Sequence, residues 1–129
     1  MIGKAIYSIL TNDSDVSAIV GTRIFPVIAK IDGTKPAVTY HAVTVTPTNF
    51  KQAASDIDFI RVQFNVYSPD YDTTTDLAEK IRLALDRYPH GTVAGVHLAG
   101  VSFLDQGDGW DDNAKLNHIN QDFQFRIKR

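Results

Sequence analysis

The sequence contains no cysteine, and this absence excludes several classes of site at once. Without thiols, the chain forms no disulfides, no cysteine–zinc sites and no cysteine nucleophile. Basic runs are also missing, since 13 basic and 15 acidic residues are interspersed and give a net charge of −2. Dedicated nucleic-acid-binding proteins carry a basic patch or tail, so we expect no sequence-specific nucleic-acid binding. No segment approaches the roughly 20 apolar residues of a membrane span, and we expect no membrane partner.

Catalytic and nucleotide-binding motifs are absent as well. The glycines match neither phosphate-binding fingerprint, and there is no Gly-x-Ser-x-Gly elbow. A triad of His41, Ser55 and Asp56 is conceivable, but a chain with this composition yields such sets by chance. The histidines are scattered, without the i, i+4 helical spacing of a zinc pair: His41, His90, His97 and His118. We therefore predict no enzyme activity, no cofactor and no metal.

Residues 105–113 (DQGDGWDDN) are polar and contain two glycines, which predicts a solvated loop. Clustered carboxylates can hold calcium or magnesium, but the spacing of a calcium loop fails. Counted from Asp105, the third position is Gly107 and the twelfth is Leu116 instead of Glu. Trp110 has two interpretations: an exposed anchor for a partner surface, or a ring that folds back over its own sheet.

The pattern around which the chain is organised runs from Ile57 to Tyr88. Apolar and polar residues alternate from Phe59 to Tyr67, which predicts a strand with one apolar face. After Pro69, apolar residues recur at helical spacing: Leu77, Ala78, Ile81, Ala84, Leu85 and Tyr88. We expect this helix to begin at Thr73, capped by Thr73 with Asp76 or by Asp76 with Glu79, and to end at Pro89 and Gly91.

Elsewhere the patterns are shorter. They predict a first helix over residues 2–10, a second over 16–20 closed by Gly21, an edge strand over 23–28, and strands over 37–46, 96–104 and 119–127. Gln121 interrupts the apolar side of the last strand. The mostly polar residues 47–55 predict a long exposed connection that forms a hairpin or an arm. Residues 90–95 predict a turn. The 129 residues therefore predict a single α+β domain over 1–129. We expect a mostly antiparallel sheet of about four to five strands, with two or three helices packed on one face.

Several segments in order resemble the phage tail-completion, or tail-terminator, family. They are Gly21-Thr-Arg-Ile-Phe-Pro26, Lys35-Pro-Ala-Val-Thr-Tyr40, Arg61-Val-Gln-Phe-Asn-Val-Tyr-Ser-Pro-Asp-Tyr71, Leu77-Ala-Glu-Lys-Ile-Arg-Leu-Ala-Leu85 and Asp122-Phe-Gln-Phe-Arg126. Together they extend over nearly the whole chain. The resemblance implies a non-enzymatic virion protein, assembled in the bacterial host cytoplasm and located in the tail or neck. It implies a homo-oligomer, typically a hexameric ring, with the tail tube protein and head–tail connector proteins as partners and DNA only passing through the lumen.

A ring subunit needs protruding segments that reach its neighbours. From the exposed connection and the acidic loop we take Phe50, Lys51, Gln52, Trp110 and Asp111 as candidate oligomer or partner contacts. Two alternatives stay open. One is a head-completion or neck subunit on the connector side. The other is a small enzyme or ligand-binding domain, which would need a pocket with convergent polar groups.

Overall fold

The computed structural model describes residues 2–26, 36–50, 53–112 and 115–128, with the backbone alone for residues 47–50 and 53–56. In these ranges there are three helices, α1 (Ile2–Asn12), α2 (Ser14–Val20) and α3 (Tyr71–Leu85). There are six strands: β1 (Ile24–Pro26), β2 (Ala37–Phe50), β3 (Ala53–Ser68), β4 (Gly91–Val93), β5 (Val96–Asp111) and β6 (Leu116–Lys128). They form one sheet in the order β1-β2-β3-β6-β5-β4.

The predicted α+β class is confirmed, with one strand more than expected. β1 pairs with β2 in parallel, and every other pairing is antiparallel. The added strand, β4, lies in the segment predicted as a turn, where residues 91–93 pair with 96–98 to form a short hairpin. Gly95, at φ +82°, supplies the left-handed conformation that this tight turn requires.

The core lies between the sheet and the helices. The alternate residues of β3 that were predicted to be apolar and inward are all buried: Ile60, Val62, Phe64 and Val66. Phe64 lies edge-on to Phe123 of β6, with ring centroids 5.4 Å apart. The helices supply Ile6, Leu10, Val16, Leu77 and Ile81 to the same cluster, each fully buried. One face of the sheet is thus covered by the helices, as predicted.

The caps of α3 differ from the prediction. Asp70 is the N-cap, with its side chain accepting from the Thr73 backbone N–H, so the helix begins at Tyr71 instead of Thr73. It ends at Leu85, before Pro89, because Asp86 is already extended. Gly21 closes α2 at φ +60°, as expected, and its N–H donates to the Ser17 carbonyl.

Two predicted loops are strands instead. The described part of 47–55 continues β2 and β3 as a hairpin in which Asn49 pairs with Ala54, so the expected hairpin is an extension of the sheet. The predicted loop over 105–113 was wrong up to Asp111, because β5 continues along β6 as far as the Asp111–Leu116 pair. Cross-strand pairing outweighs the low strand propensity of Asp and Gly in that segment.

Candidate assembly surfaces

The first group of predicted contact residues lies at the tip of the β2–β3 hairpin. Phe50 is the last residue of β2 and pairs through its backbone with Ala53, the first residue of β3. Lys51 and Gln52, between these two strands, fall outside the described residues. The hairpin therefore places this group at one end of the sheet.

The second group lies at the opposite end of the sheet. Trp110 pairs with Asn117 of β6, which in turn pairs with Ser68 at the far end of β3 from Ala53. At about 3.3 Å per residue, the length of β3 separates the two groups by about 50 Å. The structure thus does not bring the predicted contacts together, and places them at two separate surfaces of the domain.

Trp110 is 54% exposed. Its Nε1 donates to Asp112 Oδ1 at 3.4 Å, and Asp112 also accepts from Lys115 Nζ at 3.2 Å. Nearby, the Tyr71 hydroxyl at the start of α3 donates to Asp108 Oδ2 at 3.1 Å. The end of β5 therefore presents a large apolar side chain among solvated carboxylates.

A charged network lies on the face of the sheet that the helices leave open. Asp122 of β6 is buried, with 6% of its surface exposed, and Arg61 of β3 donates to its Oδ2 through Nε at 3.0 Å and also through Nη2. Gln63 donates to the other oxygen at 3.2 Å, and Asp105 lies 3.6 Å from Arg61. The hydrogen bond to Asp122, followed by its charge, raises the pKa of Arg61. Three donors thus satisfy the buried carboxylate.

A second polar group lies further along the same face. The rings of Tyr67 and His118 stack, with centroids 4.9 Å apart and planes 9° from parallel. His118 Nε2 lies 3.0 Å from Asn65 Oδ1. Desolvation lowers the pKa of His118, opposed by the charge of Asp111 and a hydrogen bond with Asn120, and so favours the neutral ring.

Sequence reasoning missed both networks. The alternation of β3 and β6 does predict that Arg61, Asn65 and Asp122 face away from the helices. The alternation does not predict that β3 pairs with β6, and this pairing brings together residues about sixty positions apart in the sequence. If β3 and β6 are assumed to be neighbours, the opposite charges on their polar sides predict an ion pair between them.

No catalytic arrangement emerges from the described residues. His41 pairs with Gln63, which places it about 23 Å along β3 from Asp56, too far for a triad. No group of three or more His, Cys, Asp or Glu in the described ranges is placed to hold a metal ion. Asp105 and Asp108 pair with residues of opposite faces of β6, Asp122 and Ile119, so they do not converge. None of the described helices has the length and apolar composition required to cross a membrane.

A family model described as tail completion protein gp17 matches residues 4–128. The chain belongs to this family. Tail-completion proteins are structural components of the phage tail, so this protein is a structural virion protein of the tail or neck and not an enzyme. The family resemblance predicted from the ordered sequence segments is confirmed.

The tail-completion fold is also seen in a solved structure. A chain in the structure described as the virion of a native gene transfer agent particle superposes with a TM-score of 0.79 and 20% sequence identity. The match covers 97% of this chain and 92% of that one, so the two share the whole fold. No curated protein sequence is significantly similar to the chain.

Proposed function

We propose that the chain acts as one domain that assembles with copies of itself into a closed ring, most simply a hexamer, at the end of the tail tube. The ring stops growth of the tube and joins the tail to the head connector, and DNA passes through its lumen. Membership of the tail-completion family is the observation that carries the proposal. The alternative, a neck subunit on the connector side, differs in which partner it binds first.

The hairpin tip with Phe50 and the end of β5 with Trp110 and Asp111 lie at opposite ends of the sheet along its strands. A ring between a tail tube and a head connector has two such ends, so these two surfaces suit its contacts above and below. A closed ring also needs two different lateral surfaces on each subunit, one for each neighbour. We propose that these residues, together with Lys51 and Gln52, contact neighbouring copies, the tail tube protein or the connector.

The open polar face suits a protein that DNA passes without being held. Two of its basic groups are engaged by the protein itself: Arg61 by Asp122 and Asp105, and Arg126 by the Ser102 hydroxyl at 3.2 Å. A net charge of −2 adds no general attraction for phosphates.

The proposal is tested by measuring association and tube capping with the purified chain. Sedimentation velocity at rising concentration and negative-stain electron microscopy should show closed rings, alone or on tail tubes, and added protein should stop tube elongation. A chain that stays monomeric and leaves tube growth unchanged would overturn the proposal. Binding to isolated connectors in preference to tubes would favour the neck alternative.

The hairpin tip is tested by shortening it. Replacing residues 50–53 by Asn-Gly joins the register partners Asn49 and Ala54 through a two-residue turn and removes all three predicted contacts at this tip. We expect an unchanged melting temperature and weaker assembly or capping. A full-length control, Lys51→Ala with Gln52→Ala, separates the effect of these side chains from that of hairpin length. Normal assembly of the shortened variant would exclude the hairpin as a contact arm.

A further inference from the structure

The β2 side of the sheet has a partly open edge. β1 pairs with β2 only from Val38 to Tyr40. From His41 to Thr46 no strand pairs with the outer edge of β2 within the described ranges. An unpaired edge offers a row of backbone N–H and C=O groups to another strand.

The β5 side is open over a different stretch. β4 pairs with its first residues, and the chain that leaves α3 covers the next ones. There, Arg87 N–H donates to the Val101 carbonyl at 3.0 Å, and Phe103 N–H donates to Asp86 Oδ1 at 3.1 Å. From Leu104 to Trp110 the described residues include no strand on this edge. Among the described residues, the sheet therefore has one unpaired stretch on each side.

Each open stretch carries a β-bulge with an exposed apolar residue. Val43 lies in the register shift between Ala42 and Thr44 of β2, and is 46% exposed. Leu104 lies in the shift between Phe103 and Asp105 of β5, and is 43% exposed. A bulge at a sheet edge redirects side chains and by itself protects the edge from pairing. Here each bulge carries an exposed apolar side chain, and contact with another chain would remove that side chain from water.

We propose that the open edge of β2 in one copy pairs with the open edge of β5 in the next copy, so that the sheet continues from subunit to subunit. This inference rests on the ring proposed above and names its interface. β2, β3, β6 and β5 are successively antiparallel, so β2 and β5 of one copy run in opposite directions. A neighbour's β2 placed beside β5 is therefore antiparallel to it, and the contact joins two different surfaces, as a closed ring requires.

Charge selects this pairing over β5 with β5. The stretch from Leu104 to Trp110 contains Asp105 and Asp108 and no basic residue. Two such stretches side by side would place carboxylates against each other, which destabilises a strand pair. The stretch from His41 to Thr46 contains no Asp, Glu, Lys or Arg, so β2 meets β5 without repulsion.

The covered parts of the two edges fix an offset between neighbours. Without an offset, the stretch from His41 to Thr46 of the neighbour's β2 would lie against the Asp86–Arg87 segment. The offset is an even number of residues, since an odd shift would put helix-side residues on the open face. Positions along the two edges can be compared by the β3 residue at the same height in the sheet. Val45 pairs directly with Ile60 of β3, whereas Gln106 and Asp108 pair through β6 with Phe64 and Val66, four and six residues further along β3. Offsets of four or six residues thus place Val45 opposite Gln106 or Asp108.

The same offset agrees with the geometry of a closed sheet. Four strands about 4.8 Å apart span about 19 Å, and four to six residues correspond to about 13–20 Å along the strand. The ratio of these lengths gives a strand tilt of about 35–45°, which is the range found in closed β-barrels. This shift therefore carries the stretch from His41 to Thr46 past Asp86 and Arg87 and also suits a closed sheet. The remainder of β2, as far as Phe50, has to turn away from the neighbour's edge.

Engineered disulfides test the pairing, and the absence of native cysteine removes any background. In full-length chain at ring-forming concentration, Val45→Cys is combined with Gln106→Cys or with Asp108→Cys and oxidised. We expect one of the two double variants to give a ladder of covalent multimers on non-reducing gels, ending at the ring. Each single variant should stay monomeric. Covalent dimers of a single variant would instead show β2 against β2 or β5 against β5, and would overturn the proposal.

Association of the unmodified chain is measured in parallel. If that chain forms rings and neither double variant cross-links, the edge pairing is wrong and the ring stands. If that chain neither self-associates nor caps tubes, the proposed function fails and the edge pairing with it. Val43→Asp and Leu104→Asp provide a second measurement, and each should weaken association by about tenfold or more by placing a carboxylate in the contact. Leu83→Asp, on the exposed side of α3, is the matched control and should leave association unchanged.

Discussion

The two faces of the sheet are built from the same strands and are stabilised in different ways. On the helix side, β3 contributes apolar side chains such as Val62 and Phe64 that are almost completely buried. On the open side, its alternate residues Arg61 and Asn65 depend on hydrogen bonds to Asp122 and His118 of β6. Apolar packing tolerates exchange of similar volumes, whereas the polar face needs particular partners. Substitutions on the two faces should therefore differ in size and in their dependence on pH.

The largest effect should come from a carboxylate on the helix side. Leu77→Asp or Ile81→Asp would place an unpaired charge where the native side chain is fully buried, and we expect the domain to unfold. Circular dichroism and thermal melting measure this directly. Leu83→Asp, at a position of α3 that is 67% exposed, is the control and should melt close to the unmodified protein. Native-like melting of Leu77→Asp would show that this face of α3 is misassigned.

A smaller loss is expected on the open face. Asp122→Ala removes the carboxylate that accepts three hydrogen bonds, two from Arg61 and one from Gln63. The loss of these bonds should lower the free energy of unfolding by about 1–3 kcal/mol. Urea denaturation measures the change. Asp108→Ala, an exposed aspartate on β5, should change stability by less than about 0.5 kcal/mol. Equal effects of the two substitutions would mean that the network adds nothing beyond a surface contact.

The smallest effect should depend on pH. Burial lowers the pKa of His118 in the folded chain, so the unfolded chain binds that proton more readily. The free energy of unfolding should therefore be fully maintained above the ordinary histidine pKa of about 6.5 and decline as the pH falls below it. His118→Gln should flatten this decline between pH 7.5 and 5.5, measured by urea denaturation at each pH. His90→Gln, at an exposed position before β4, is the control. A slope that His118→Gln leaves unchanged would assign the effect to other groups.

Local patterns predicted most of the helix-side face. The alternation from Ile60 to Val66 and the spacing from Leu77 to Leu85 specify which residues are buried, because each pattern depends only on the geometry of its own element. The open face was harder to predict, because its hydrogen bonds join residues such as Arg61 and Asp122 from distant parts of the sequence. The strand order brings these residues together, and it cannot be predicted from the sequence of either strand alone.

Gln121 shows how a position can contradict a pattern and still be part of the core. It interrupts the apolar side of β6, yet it is fully buried. Its Nε2 donates to the Ala78 carbonyl of α3 at 2.8 Å and to Gln106 Oε1 at 3.0 Å. The side chain thus joins the sheet to the helix, a role that becomes visible only when α3 is placed over β6.

The segment from Asp105 to Asp111 shows the limit of composition. Its aspartates and glycines predict a loop, and the error shortened the expected β5 by about half. Pairing with β6 keeps this segment extended. The predicted N-cap at Thr73 was wrong for a related reason: Asp70 is an equally good cap three residues earlier, and the pattern of buried residues does not distinguish the two.

The β2–β3 hairpin has a consequence for how a neck joint fits together. β6 pairs with β3 only as far as Ile57, so in the described part of the chain residues 53–56 have β2 as their sole strand partner. Two strands without a third are marginally stable alone and twist readily, so they take their final direction from whatever they lie against. In the ring proposed above, identical subunits could therefore present this ribbon at different inclinations to the partner that it meets.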